Sequence, residues 1–248
     1  MTIPLTDAET LSRLFHLNSE PWANAEAYRE AADYEVHYKE VDAAAETVLP
    51  ETTGSHLQEL LRRRESCRGY QLKQMPLQTL ATMLKCGYGI MRTAPLAKLG
   101  GAYFRAVPSA GGLFPLEIYT LAREVETLAD GIYHYNLRRH AVELVRPGDW
   151  FEELDRIMVA APFIRNANLI FFLSAVFSRT QKKYGPRGYR YILLEAGHVA
   201  QNLCLAAAEY DLGSLCMGGY TDSQLNRFLE FDGVTEAVVY AVAAGYPA

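Results

Sequence analysis

The sequence predicts an α+β fold built on one sheet, and three patterns support this prediction. Up to about residue 90, apolar residues recur at helical spacing, as in Leu77, Leu80 and Leu84. From Leu116 onward the segments become short and strand-like, and they include a hairpin. The continuous apolar run Leu169–Val176 is typical of a strand that is covered on both faces.

The elements are predicted in the following chain order. Residues 6–9 form a capping box that begins the first helix, and helices over residues 57–64 and 77–87 follow. Strands are predicted over residues 118–121, 131–135, 141–145 and 169–176, with a short helix over residues 149–158. A long helix over residues 190–210, a short strand over 215–219, a helix from Asp222 and a last strand over 237–244 complete the order. We expect residues 1–55 to form a helix and a wrapping arm, and residues 56–248 to form one domain.

Composition limits the function classes. The net charge of −5 gives no reason to expect nucleic acid or an anionic membrane as the main partner. The apolar run over residues 169–177 is interrupted by Ser174 and is too short to cross a bilayer, and no export signal is visible. We therefore expect a cytoplasmic protein.

The cysteines and histidines favour structural roles over a metal site. The chain has four widely spaced cysteines and no C-x-x-C pair, which predicts reduced thiols that lie mostly in the core (Cys67, Cys86, Cys204 and Cys216). His198 and Asn202 are one helical turn apart but lack a third ligand, so His198 is predicted to be an interior residue and no metal is expected. P-loop, serine-hydrolase and dinucleotide-binding motifs are missing from the sequence.

A first candidate site is the basic segment after the second helix. Arg64, Ser66 and Arg68 are spaced by two residues, and they could converge on a phosphate because arginine offers planar, charge-assisted donors. Each such hydrogen bond contributes about 1.5–3 kcal/mol, so three of them would anchor a phosphorylated cofactor. A solvated basic helix end is the alternative.

A second candidate is the loop of residues 108–112. Gly111 and Gly112 have no Cβ, so the backbone can adopt positive φ and approach a flat ligand closely. Ser109 adds a hydroxyl group, and Pro108 restricts one end of the loop. Such a loop suits a ring system, and an ordinary turn before a strand is the alternative.

Two further candidates follow predicted strands. Lys183 and Tyr184 lie in a predicted loop after the buried strand and could act as base and acid, provided that burial and neighbouring cations favour a neutral lysine. A solvated basic turn is the alternative. Gly218 and Gly219 could present backbone N–H groups to an anion or a ring, or form a plain tight turn.

Taken in order, these segments resemble the FMN-dependent nitroreductase superfamily. Within it they resemble the azoline dehydrogenase branch, the SagB- and McbC-type oxidases that make thiazoles and oxazoles in peptide natural products. The resemblance extends from about residue 10 to the end of the sequence. It rests on residues 14–16, 64–68 (Arg-Glu-Ser-Cys-Arg, similar to R-R-S-x-R), 108–112 (Pro-Ser-Ala-Gly-Gly), 131–135, 183–191 and 195–202.

The resemblance implies a nitroreductase-like fold, with a central mixed, mostly antiparallel sheet flanked by helices. It also implies FMN bound at the interface of a homodimer, with hydride transfer to FMN and reoxidation by dioxygen. By position, Lys183 and Tyr184 match the pair that this branch uses for proton transfer. By position, the phosphate and ribityl groups of FMN would be held by Arg64, Ser66 and Arg68. The isoalloxazine ring would be lined by Pro108, Ser109, Ala110 and Gly111. Its N5 edge would lie near Gly218 and Gly219.

Three departures from the family pattern bear on the implied activity. Glu65 stands where the family often has a basic residue, Gly218 replaces an acidic residue common in nitroreductases proper, and no basic tail follows residue 248. The last two favour the dehydrogenase branch, whose activity is aromatisation of an azoline ring in a peptide or carrier-bound substrate. A cyclodehydratase or a carrier protein would deliver that substrate. The alternatives are an NAD(P)H-dependent nitro or quinone reductase, and a flavin-binding scaffold without activity.

Overall fold

The computed structural model describes residues 8–19, 38–39, 45–52, 54–94 and 102–248. Helix α1 (Ala8–Asn18) begins the described chain, and helices α2 (His56–Arg63) and α3 (Leu77–Tyr88) follow close to the predicted positions. The capping residue predicted at Thr6 and most of the predicted arm lie outside the described residues. The division into an arm and a domain therefore stays a prediction.

A short hairpin after α3 was not predicted. Its strands are β1 (Ile90–Ala94) and β2 (Ala102–Arg105), which pair antiparallel and form a sheet of their own. The expectation of a single sheet was therefore wrong. Strands of five and four residues are too short to show a clear alternation of apolar and polar residues, which is why the sequence did not reveal them.

A six-stranded antiparallel sheet forms the centre of the fold. Its strands are β3 (Leu116–Ala122), β4 (Gly131–Asn136), β5 (Ala141–Pro147), β6 (Leu169–Val176), β7 (Gly213–Met217) and β8 (Glu236–Gly245). They lie in the order β5-β4-β3-β6-β8-β7. Parallel pairing occurs among the described residues as isolated bridges, such as the one between Ser66 and Ser214. The predicted helix-flanked, mostly antiparallel sheet is confirmed.

Helices cover both faces of this sheet. They are α4 (Phe151–Leu154), α5 (Ala161–Ile164), α6 (Ser178–Tyr184), α7 (Arg187–Glu209) and α8 (Asp222–Phe228). On one face, Leu169 and Phe171 of β6 pack in a core with α3 and α7. On the other face, Ile170 and Phe172 pack in a core with α4, α5 and α8. Burial of β6 on both faces, as predicted, makes it the central strand.

The long helix α7 spans 23 residues and carries one continuous buried face. Ile192, Ala196, Val199 and Leu203 are buried at the spacing expected for a helix packed on a sheet. His198 lies between these positions on the turn and is exposed, so the prediction of an interior histidine was wrong. None of the helices in the described ranges has the length and apolar character needed to span a bilayer.

Candidate functional site

Lys183 and Tyr184 occupy the last turn of α6, whereas the sequence predicted a loop. The segment from Ser178 contains no helix breaker until Gly185, which adopts a φ of 54° and ends the helix. Lys183 is exposed and Tyr184 is half-buried. The burial of Lys183 that the proton-transfer hypothesis required is therefore not found in the single chain.

The end groups of these two side chains meet the backbone at Gly111. A Cβ placed on Gly111 would lie 2.8 Å from Lys183 Nζ and 2.8 Å from Tyr184 OH. Gly111 has a φ of 64°, in the left-handed region that favours glycine, and lies in a short 3₁₀ turn (Ala110–Gly112). The structure thus brings together the loop and the Lys–Tyr pair, two candidates that are far apart in the sequence.

Ser109 connects the loop to a buried carboxylate on α7. Its Oγ accepts a hydrogen bond from the backbone N–H of Phe114 at 2.9 Å, and its hydroxyl lies near enough to Glu195 to affect the pKa of that carboxyl. Glu195 is buried, and its Oε1 accepts a hydrogen bond from Tyr88 OH at 2.7 Å. The Tyr88 oxygen in turn accepts the backbone N–H of Leu116 at 3.2 Å. Glu195 and Tyr88 therefore lie against Ser109 of the loop and against Leu116 at the start of β3.

Arg105 adds a cation beside Tyr88 and Phe114. Its guanidinium lies 4.3 Å from the ring centroid of Tyr88 and 4.5 Å from that of Phe114. Burial raises the pKa of Glu195, although hydrogen bonds from Ser109 and Tyr88 and the charge of Arg105 oppose this shift. The NH1 atom of Arg105 is buried and has no hydrogen-bond partner among the described residues, so an acceptor on a ligand would stabilise it.

Sequence reasoning did not single out Glu195, Tyr88 or Arg105. A signal for Glu195 was available, because it lies seven residues before Asn202 and therefore on the same side of α7. Asn202 Nδ2 donates hydrogen bonds to the carbonyls of Cys86 and Ala106 at 3.2 and 3.4 Å. Polar residues on an otherwise apolar helix face indicate specific buried hydrogen bonds.

The basic segment is extended and runs beside the start of β7. Ser66 forms a parallel bridge with Ser214, and the backbone N–H of Cys67 donates to the Ser214 carbonyl at 2.9 Å. Because side chains alternate along an extended chain, Arg64, Ser66 and Arg68 are expected to point to one side. Arg64 is half-buried, and the other two are exposed.

Arg64 and Arg68 have no ion pair within the part of the chain that the structure describes, unlike their neighbours. Arg62 and Arg63 each pair with a carboxylate, so their charges are compensated. Arg64 lines a cavity of about 340 Å³, whereas Arg68 donates only a long hydrogen bond of 3.4 Å to the Ser66 carbonyl. Two uncompensated guanidinium groups beside a hydroxyl fit a phosphate.

Gly218 and Gly219 directly follow β7. Ser214 and Gly218 are four residues apart on the same side of an extended chain, so they are separated by about 13 Å. The nearest atom to a Cβ placed on Gly218 would be Cε2 of Tyr240 at 4.0 Å, which leaves this side open. The carbonyl of Gly219 accepts the backbone N–H of Val159 at 3.0 Å.

The candidate residues thus form two groups, and α7 contacts both. The loop approaches α7 at Glu195 through Ser109, and the basic segment lies near Cys204, which lines the same cavity as Arg64. These contact points are nine residues apart, or about 14 Å along the helix. The first group, with its glycine cradle and the unpaired donor of Arg105, fits a flat polar ring, and the second fits a phosphate. Among the described residues no cluster of three or more metal-ligating side chains is present.

Comparison with known proteins identifies the family of this chain. The model of the nitroreductase family matches residues 61–246, three quarters of the chain. The chain belongs to the nitroreductase family. It is therefore an oxidoreductase.

Two relatives of this chain differ in the share of their own length that the match covers. MJ1384, a nitroreductase homologue of Methanocaldococcus jannaschii, is 32% identical over 185 residues, which cover 75% of this chain and 89% of MJ1384. The microcin B17-processing protein McbC of Escherichia coli is also 32% identical, over 143 residues that cover 55% of this chain. That match spans 52% of McbC.

Two solved structures share the fold. The Escherichia coli microcin synthetase McbBCD complex with truncated pro-MccB17 bound contains a chain that matches 100% of this chain and 95% of itself, with a TM-score of 0.69 and 22% identity. A nitroreductase-type protein from Desulfovibrio desulfuricans in complex with FMN matches 79% of this chain and 88% of itself, with a TM-score of 0.53 and 18% identity. At these identities the similarity shows the fold alone.

Proposed function

We propose that this protein is an FMN-dependent dehydrogenase that aromatises an azoline ring in a peptide or carrier-bound substrate. The observation that carries the proposal is the meeting of Lys183 Nζ and Tyr184 OH at Gly111. Aromatising an azoline removes a Cα proton and a hydride from the neighbouring ring carbon, so a proton acceptor must stand beside the hydride acceptor. The relationship to McbC, which processes microcin B17, supports a peptide substrate.

FMN is the cofactor, and when bound it supplies the acceptor for the hydride. Arg64, Ser66 and Arg68 would hold its phosphate and ribityl groups, because their donors are not committed to protein carboxylates. The backbone of residues 108–111 (Pro108, Ser109, Ala110 and Gly111) would lie against the isoalloxazine ring. Gly218 and Gly219 would lie near its N5 edge, where the open side of Gly218 leaves room.

Lys183 and Tyr184 would move the substrate proton. Lys183 Nζ lies 5.1 Å from the centroid of the Tyr184 ring, and both end groups are directed at the same glycine. Tyr184 is held by edge-on packing against Tyr191, with ring centroids 5.1 Å apart. A positioned acid–base pair of this kind contributes about 10²–10⁴ in rate.

Lys183→Ala tests this assignment, and Lys182→Ala is the matched control. Both lysines are exposed in the last turn of α6, but Lys183 is the one whose end group lies against Gly111. We expect Lys183→Ala to lower kcat for oxidation of a thiazoline peptide about 100-fold. Mass spectrometry measures the loss of two hydrogens from the peptide, and absorbance measures bound FMN. Unchanged turnover in Lys183→Ala with FMN still bound would contradict the role, and Lys182→Ala should stay near wild type.

A second candidate function is an NAD(P)H-dependent nitro or quinone reductase. The match to MJ1384 over most of both chains favours it. This reading predicts rapid bleaching of the flavin when NAD(P)H is added without oxygen. Absence of bleaching removes this candidate, and bleaching followed by reduction of a nitroaromatic would favour it over the dehydrogenase.

We further propose a homodimer in which one flavin contacts both subunits. Within one chain the two candidate groups contact α7 at separate points and share no hydrogen bond or ion pair among the described residues. A second copy would supply the missing half of each site. Substrate delivery by a cyclodehydratase or a carrier protein is part of the same proposal, and the McbBCD complex, whose chain shares this fold, supports a multiprotein assembly.

A further inference from the structure

Cys204 and Cys216 are in direct contact between α7 and β7. Their Sγ atoms are 3.5 Å apart, and both are free thiols. Cys204 is buried, whereas Cys216 is exposed to solvent. A disulfide requires an Sγ–Sγ distance of about 2.05 Å, so the two sulfurs must approach by about 1.5 Å. A rotation of the exposed Cys216 side chain is the expected route, because Cys204 is buried.

The surroundings favour a thiolate on the exposed member of the pair. The hydrogen bond from Cys204 lowers the pKa of Cys216 to about 6 despite partial burial, and Tyr240 and Arg64 act in the same direction. The same hydrogen bond, together with burial, raises the pKa of Cys204. Since the thiolate is the reactive form, Cys216 is the thiol that attacks an oxidant, and Cys204 is the thiol that reacts second.

We propose that Cys204 and Cys216 are a peroxide-sensitive pair that forms an intrachain disulfide. The Cys216 sulfur attacks hydrogen peroxide, the O–O bond breaks, and a sulfenic acid and one water result. The Cys204 sulfur then attacks the Cys216 sulfur, the S–O bond breaks, and a second water leaves with the Cys204 proton. Two thiols are oxidised to one disulfide while one peroxide is reduced to two waters.

The position of Cys216 provides a reason for such a pair. It lies between Ser214 and Gly218 on one side of the extended chain, and hence between the two ends of the proposed flavin-binding surface. Dioxygen that takes two electrons from a reduced flavin becomes hydrogen peroxide, so the oxidant would arise beside this thiol. This source rests on the proposed function, whereas the reaction with added peroxide does not.

The experiment treats the purified full-length chain with hydrogen peroxide and maps its peptides without reduction. We expect the wild type to lose two of its four thiols and to yield a peptide in which Cys204 is linked to Cys216. Cys204→Ser should retain a Cys216 sulfenic acid that dimedone traps. Because a buried hydroxyl can destabilise the core, Cys204→Ala is made alongside it. It should also retain the sulfenic acid but form it more slowly, because it lacks the hydrogen bond that lowers the pKa of Cys216.

Cys67→Ser is the control, since Cys67 is half-buried and its Sγ donates to the carbonyl of Gly69 at 3.1 Å. This variant should form the disulfide as the wild type does. A link between Cys67 and either partner, or a wild type that keeps all its thiols after treatment, would overturn the proposal. Azoline turnover is not measured in this experiment, so loss of the proposed function would leave the result unchanged.

Discussion

Gly111 is the residue at which backbone conformation and the proposed chemistry coincide. Its φ of 64° already favours glycine, and the space that a side chain would take is filled by the ends of Lys183 and Tyr184. The next residue, Gly112, has almost the same φ of 65° but no atom within 4 Å of a placed Cβ. The same substitution at both glycines therefore distinguishes the effect of backbone strain, which the two positions share, from the effect of contact with the Lys–Tyr pair, which only Gly111 has.

We expect Gly111→Ala and Gly112→Ala to destabilise the fold to a similar extent, by about 1–2 kcal/mol, because alanine is strained in the left-handed region. Gly111→Ala should also displace Lys183 and Tyr184 and lower kcat at least about 10-fold more than Gly112→Ala does. Urea denaturation measures the free energy of unfolding, and steady-state kinetics measures kcat. Equal losses of kcat in the two variants would show that contact with the pair does not matter.

At the scale of single residues, the sequence indicated which residues are candidates for the site, but it did not indicate their contacts or their burial. The glycines of residues 108–112 and the Lys–Tyr pair were singled out because their types suit ring binding and proton transfer. The contact between them was not predictable, because it depends on the direction in which α6 runs after β6, and this direction brings the ends of Lys183 and Tyr184 to Gly111. The four cysteines were predicted to lie mostly in the core, and the exposure of Cys216 was missed for the same reason, because burial depends on neighbours in space.

At the level of elements, β4 carries a histidine between two carboxylates of the adjacent strands. His134 Nε2 lies 3.0 Å from Glu117 Oε2 on β3, and Nδ1 lies 3.4 Å from Glu143 Oε2 on β5. The hydrogen bond with Glu117 raises the pKa of His134, against the opposing effect of burial, and Glu143 adds to the rise. When it is protonated, His134 therefore forms ion pairs with carboxylates on both neighbouring strands.

The pH dependence of stability follows from this shift. Because the pKa of His134 is higher in the folded than in the unfolded protein, its stabilisation is complete below about pH 6.5 and is lost as the pH rises through the folded pKa. We expect the difference in free energy of unfolding between wild type and His134→Gln to shrink from about pH 6 to about pH 8. Chemical denaturation at both values measures it. A difference that stays constant or grows would contradict the assigned pairing.

The prediction of helices and strands succeeded where the pattern of apolar residues extended over many positions. The apolar run of β6 was identified with its bounds, and α7 was predicted from residue 190 although it begins at Arg187. The β1–β2 hairpin was missed because neither strand is long enough for alternation to show. Residues 181–184 were predicted to belong to a loop after the buried strand, but they form the end of α6, because helix formation tolerates an exposed charged face.

At the level of the whole molecule, the proposed dimer explains four exposed leucines, Leu57 and Leu61 on α2 and Leu193 and Leu194 on α7. We expect Leu194→Glu to shift the protein towards monomer and to weaken FMN binding, because a buried unpaired charge opposes association. Light scattering measures mass, and flavin fluorescence measures affinity. Leu144→Glu, at an exposed leucine on β5, should leave both unchanged. A wild type that is monomeric at all concentrations yet binds FMN fully would rule out the shared site.

In the proposed function, the Lys–Tyr pair at Gly111 directs the bound flavin towards azoline oxidation. The most direct measurement mixes FMN-loaded protein with a thiazoline peptide without oxygen and follows flavin absorbance. We expect the wild type to bleach once per bound flavin and to form the thiazole, and Lys183→Ala to bleach about 100-fold more slowly at the same FMN content. Equal rates in the two proteins, or bleaching by NAD(P)H but not by the peptide, would contradict the claim.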